Sequence, residues 1–210
     1  CGTWTRGDFP PEARSTVQHG PGLLALGVYL TTQHLLPGAR AAAVLTALTG
    51  QRISPATLLA AEGRCATTLA PVTARILTGL TRSPVVHLDE TACYVGATSG
   101  PAARWWLHVA CTRALTHYTA HPKRGTAAHA AVGLLPTYTG TAVHDGYASY
   151  GTHHGCRHAL CGVHLLRELT FLAEEGAPAT RPWAAAFKRA LQTMKRGADR
   201  ARAAGQTALD

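Results

Sequence analysis

One repeated pattern constrains this chain more than any other: a short apolar run, a histidine, and then an aspartate. It occurs as "VVHLDE" at 85–90 and again as "TAVHDG" at 141–146. Runs this short, bounded by polar and turn residues, read as buried strands rather than helices. Asp89 follows the strand 85–88 and Asp145 follows the strand 141–144, so both carboxylates fall at strand ends. The stretch between them is long enough for a hairpin and a helix. The two strands can therefore lie side by side in one sheet, with both carboxylates close together at one edge. Carboxylates so placed repel each other unless a hard cation bridges them. Mg²⁺ suits that position, because it takes carboxylate oxygens while keeping waters and phosphate ligands. Two such ions about 4 Å apart can activate a hydroxyl and stabilise the leaving oxygen of a phosphodiester. The same spacing also fits two aspartates that cap the turns after their strands, and spacing alone leaves both readings open.

The flanking segments define the architecture. Residues 1–20 carry Gly, Pro and charge without periodicity and read as an extended arm. Residues 21–82 read as a helical lobe. Its first helix places Leu23, Leu24, Val28, Leu30 and Leu35 near one face and is stopped by Pro37. A second helix ends at Gly50 as C-cap, and a third starts with Ser54 as N-cap and Pro55 in its first turn. The third continues, with breaks, to about residue 81. This helix-turn-helix grammar fits either a DNA contact or a plain small helical lobe. Residues 83–176 read as a sheet with helices packed on it: strands at 85–88, 104–112, 114–121, 141–144 and 157–160, and helices at 125–135 and 161–176. Residues 177–210 form a basic helix. The fold class is α/β, an α+β mixed sheet.

Lys and Arg outnumber Asp and Glu by 20 to 11, for a net charge of +9. That balance fits a polyanionic partner, nucleic acid before a membrane surface, and equally a soluble protein from an Arg-rich, Ala-rich genome. No apolar run approaches the roughly 18 residues of a membrane span, and no secretory signal is visible. The six cysteines form no Cys-x-x-Cys pair and read as reduced thiols of a cytoplasmic protein.

"VVHLDETACYV", "WWLHVACT", "YTAHPKRG", "LLPTYTGTAVHDGYASY" and "ALCGVHLLREL" together resemble the insertion-sequence 66 family of transposases, over residues 6–176. The resemblance implies an RNase H-like catalytic core of the DDE type. Such a core cuts DNA at transposon ends and joins it to target DNA with Mg²⁺ or Mn²⁺. Asp89 and Asp145 are then the first two catalytic, metal-binding carboxylates. DNA is the partner, the complete protein works as a homo-oligomer, and the location is the bacterial cytoplasm, on the nucleoid when DNA-bound. Cys161 and His164 match the family's Cys-x-x-His element, which reads as support for the active-site edge or as half a zinc site. Lys123 and Arg124, ahead of a helix N-terminus, read either as DNA-phosphate contacts or as a solvated loop, and Arg167, one helical turn beyond His164, as a contact to DNA backbone. Trp105 and Trp106 read as sheet packing, and the remaining histidines, including the loop "THHG", receive no role.

The chain departs from the family in its third acid, a glutamate that belongs to a later Asn-Asn-x-x-Glu-type motif. Glu168, on one helix face with His164, is either a stand-in or a plain surface residue. The sequence therefore reads as truncated at both ends, with a zinc-binding Cys-rich segment before Cys1. Three functions follow: a DDE transposase core, a non-catalytic DNA-binding or regulatory remnant, or another RNase H-like nuclease. With two aspartates alone, the chain is expected to bind DNA without nicking or joining it.

Overall fold

The computed structural model describes residues 2–5, 7–8, 18–96 and 101–206. Cys1 and most of the arm expected over 1–20 lie outside the described residues. The chain divides into two compact units, residues 1–72 and 73–210.

The first unit holds α1 (Pro21–Thr32), α2 (Gly38–Thr49) and the start of α3 (Pro55–Thr81). Ala41, Ala42, Leu45, Ile53 and Leu58 form its core, with Leu23, Leu24, Leu30 and Leu36 packed against them. Gly50 closes α2 in the left-handed conformation, and the Ser54 hydroxyl caps α3 by accepting from Thr57 N–H at 3.0 Å. Leu35 departs from the expected apolar face. Helix α1 ends at Thr32, Leu35 takes φ 54°, and its side chain is exposed. The Leu36 N–H then bonds back to the Leu30 carbonyl across the left-handed turn, so Leu36 packs inward instead. Contrary to the expected breaks, α3 continues through Pro71.

The second unit is a five-stranded mixed sheet in the order β3-β2-β1-β4-β5. The strands are β1 (Val85–Val95), β2 (Ala103–Cys111), β3 (Thr116–His121), β4 (Thr141–His144) and β5 (Arg157–Leu160). Strands β1, β2 and β3 run antiparallel in succession, whereas β4 lies parallel to β1 and β5 parallel to β4. The β2–β3 turn is tight because the Thr112 hydroxyl accepts from both Ala114 and Leu115 N–H. One sheet face packs Val86, Ala110 and Ala142 against Leu80 of α3, Leu134, Leu135, Tyr138 and Tyr150. Val132 at the end of α4 (Thr126–Val132) borders this core. Helices α5 (Gly162–Glu175) and α6 (Arg181–Ala203) pack on each other. Among the described residues, no helix is long and apolar enough to cross a membrane, and Cys65, Cys93, Cys111, Cys156 and Cys161 are all free thiols.

The start of β4 is pinned by a close approach. The buried Tyr138 hydroxyl donates to the Ser83 carbonyl at 2.8 Å, and Thr141 N–H donates to the Pro84 carbonyl at 2.9 Å. Gly140 sits between these anchors. A Cβ there would lie 2.8 Å from the Pro84 oxygen and collide with the Tyr138 hydroxyl. Gly140→Ala should therefore destabilise the fold by roughly 2–3 kcal/mol. Thermal melting checks this, and an unchanged midpoint would show that the bend can yield.

Candidate functional site

The parallel ladder sets the site. Val85 pairs with Thr141, Val86 with Ala142 and His87 with Val143. The ladder ends at His87 and Val143, and two residues further along each strand come Asp89 and Asp145, so both carboxylates follow the same end of the ladder. The two differ in one respect from the expected strand-end pair. Asp145 does follow β4, but Asp89 lies inside β1, which runs on to Val95 because residues 87–95 keep pairing with β2. Asp89 thus marks where β1 loses its parallel partner, and its side chain is 58% exposed. Beyond Asp145 the backbone turns away at Gly146, which has φ 90°.

Each carboxylate is held differently. Asp145 Oδ1 accepts from Tyr147 N–H at 2.8 Å, and Oδ2 accepts from Arg124 Nη2 at 3.2 Å. Asp89 Oδ1 accepts from Glu90 N–H at 2.8 Å, and Oδ2 lies 3.9 Å from His164 Nε2. Glu90, absent from the sequence-based candidates, is central. Strand alternation turns it away from Asp89 into the sheet's buried face, where its carboxylate accepts from Arg124 Nε at 2.7 Å and from the Tyr150 hydroxyl at 2.5 Å. The signal was present as the Asp89-Glu90 doublet, but it becomes readable once β1 is known to continue past 88. Burial works against the Arg124 charge, yet the bond and charge of Glu90, helped by Asp145, hold its pKa above the ordinary value. Arg124 also stacks over the Tyr147 ring at 4.0 Å and the Trp106 ring at 5.0 Å. In this structure, then, Arg124 is engaged by carboxylates, while Lys123 is exposed and joined to the ring of His121 through its backbone.

On α5, Cys161 is the N-cap, and its N–H donates to the His144 carbonyl at 2.7 Å, which ties the helix start to the end of β4. His164 reaches toward Asp89. Arg167 and Glu168 are exposed and line a groove with Phe171 and Leu172. Among the described residues, the Glu168 side chain forms no ion pair or hydrogen bond, although its backbone lies within α5.

Behind the carboxylates lies a histidine layer. His144 stacks on Tyr150 at 4.3 Å and His129 stacks on the same ring at 4.9 Å. His144 bonds His158 at 2.9 Å, and His129 bonds His153 at 3.0 Å. His153 of the loop "THHG", which received no role from the sequence, is half-buried within this layer. Burial, followed by the nearby charges of His153, His108 and His144, lowers the His129 pKa from 6.5 to about 4. His144 and His153 are lowered as well, by burial first and then by His158. Burial also pushes the Tyr150 phenol up, reinforced by its bond to Glu90, so it stays protonated as a donor. For these histidines the unfolded chain binds protons first, so stability should fall as pH drops from about 6.5 toward 4. His129 alone accounts for on the order of 2 kcal/mol. Urea midpoints measured across this range should decline, with a shallower decline in His129→Phe. A flat profile would contradict the neutral layer.

Asp89 and Asp145 offer hard oxygen donors, and such a pair fits Mg²⁺ or Mn²⁺, which take few protein ligands and keep their waters. Among the described residues, no group of three or more His, Cys, Asp or Glu side chains is placed to hold a metal ion. Cys161 and His164 accordingly gain no further ligands for zinc. A search of curated proteins returned no match. The family described as Transposase IS66 family matches residues 16–209, which reaches past residue 176 to take in α6. With a match that spans the paired strands, both aspartates and the helices on either side, the chain belongs to the IS66 family of transposases.

Proposed function

We propose that residues 83–176 form an RNase H-like core for DNA transposition in which Asp89 and Asp145 hold a divalent cation. The observation that supports this reading is the β1–β4 register, which ends two residues before Asp89 on one strand and two residues before Asp145 on the other. When bound, Mg²⁺ or Mn²⁺ would polarise a phosphodiester oxygen and favour attack at phosphorus. The protein's own contribution is orientation. Asp145 is fixed through both oxygens, Arg124 faces the pair, and His164 sits beside Asp89.

DNA is the partner that a transposase family implies, and the charge distribution supports it. Lys188, Arg189, Arg196 and Arg200 extend along α6, and net charge is +9. Cutting and joining call for a third oxygen ligand, which no described side chain supplies. That observation favours a second reading, in which the chain binds DNA without cleaving it, as a regulatory or non-catalytic form would.

Both readings are testable on the purified chain. Mn²⁺ should bind in calorimetry, and Asp89→Asn or Asp145→Asn should weaken it about tenfold or more. Unchanged affinity in the double Asn variant would remove the metal pair. Duplex DNA should bind with an affinity that falls at least tenfold between 50 and 200 mM salt, roughly as several phosphate contacts require; a flat salt response would argue against α6 as a phosphate-binding surface. With a transposon-end duplex and Mn²⁺, binding without nicking is expected. Nicking that disappears in Asp89→Asn would show instead that the two aspartates suffice.

A further inference from the structure

We infer that Glu90 is a positioning residue: buried beneath the aspartate pair, it anchors Arg124 against Asp145 and sets the charge that a bound cation meets. This deepens the reading of Asp89 and Asp145 as a divalent-ion pair and rests on it.

The geometry begins with alternation along β1. Asp89 and Glu90 are neighbours, yet the Asp89 side chain is 58% exposed and the Glu90 side chain 1%. A carboxylate removed from water this completely persists as a charge where its oxygens are paired. Both are. Oε1 takes Arg124 Nε at 2.7 Å and Oε2 takes the Tyr150 hydroxyl at 2.5 Å. Because the guanidinium is planar, fixing Nε on Glu90 fixes the direction of Nη2, which meets Asp145 Oδ2 at 3.2 Å. The rings of Tyr147 and Trp106 flank the same guanidinium. A lysine at 124 would present a single ammonium on a flexible stem and could not hold this fork.

The consequence is electrostatic. Asp89, Glu90 and Asp145 carry three negative charges, and Arg124 returns one positive charge, so the group is left with two negative charges, the complement of one divalent ion. Without the Glu90 charge, the guanidinium would be balanced by Asp145 alone, and the pair would present a single net negative charge. Glu90 therefore acts on the cation without touching it, through Arg124 and Asp145.

The test is Mn²⁺ titration of the 210-residue chain, followed by calorimetry, with circular dichroism to confirm folding. Glu90→Gln should bind Mn²⁺ about tenfold more weakly than wild type. The double variant Glu90→Gln/Arg124→Gln restores the charge balance and should return to within about threefold of wild type. A merely structural glutamate would give no such rescue. Wild-type affinity in a folded Glu90→Gln, or a double variant no better than the single, overturns the inference. If Glu90→Gln does not fold, the double variant decides: near wild-type binding supports the inference, and binding as weak as that of Asp89→Asn/Asp145→Asn overturns it. Should that double Asn variant bind Mn²⁺ like wild type, the ion-pair reading fails and this inference falls with it, whereas the Glu90 results bear on this inference alone.

Discussion

The parallel register between β1 and β4 is the constraint on which the rest of the site depends. Hydrogen bonds at Val85, Val86 and His87 fix β4 against β1 to a single alignment. A slip of one residue would move Ala142 and His144 out of the buried face and would separate Asp145 from Asp89. The alignment is held at its entrance by Tyr138 and Gly140 and at its exit by Gly146. What those glycines permit is abruptness: β4 is short and its ends bend sharply, so Asp145 emerges where β1 has just run out of parallel partner.

A second consequence of that register is a polar layer inside the fold. Glu90, His108, His129 and His144 are buried among Leu, Ala and Tyr side chains. Neighbours pair most of their polar atoms: Glu90 meets Arg124 and Tyr150, His108 the Lys123 carbonyl, His129 the His153 ring and His144 the His158 ring, while His129 Nε2 has no hydrogen-bond partner among the described residues. The Tyr150 ring is held between His129 and His144, and its hydroxyl meets Glu90. Each His–His hydrogen bond needs at least one neutral ring as acceptor, which agrees with the lowered pKa values of His129, His144 and His153. Arg124, partly exposed, brings a positive charge to this layer through Glu90.

Much of this was legible in the sequence. The strands at 141–144 and 157–160, the α2 C-cap at Gly50, the Ser54 cap and the tight β2–β3 turn follow from local chemistry that tertiary contacts do not override. The length of β1 was not legible, because "ETACYV" alternates weakly and becomes strand through its pairing with β2. Glu90 was hidden for the same reason: its direction depends on strand continuation, and its partners Arg124 and Tyr150 are distant in sequence. The histidine layer was hidden too. His108, His129, His144, His153 and His158 come from five separate segments, with no periodicity to link them. Leu35 misled because helical spacing ignores a left-handed turn placed just before Pro37.

In the proposed cation site the two aspartates would divide the labour. Asp145 is preorganised: a backbone N–H holds one oxygen and Arg124 the other, so it loses little freedom when a ligand arrives. Asp89 is the adaptable partner, more exposed, with one oxygen facing a histidine at 3.9 Å. In that proposal the rigid carboxylate would define where an ion sits, and the movable one would close around it. Mg²⁺ demands near-octahedral geometry and exchanges its waters reluctantly, so one fixed and one adjustable oxygen donor suit it better than two fixed ones. On the role inferred for Glu90, Arg124 would orient Asp145 without cancelling the charge of the pair.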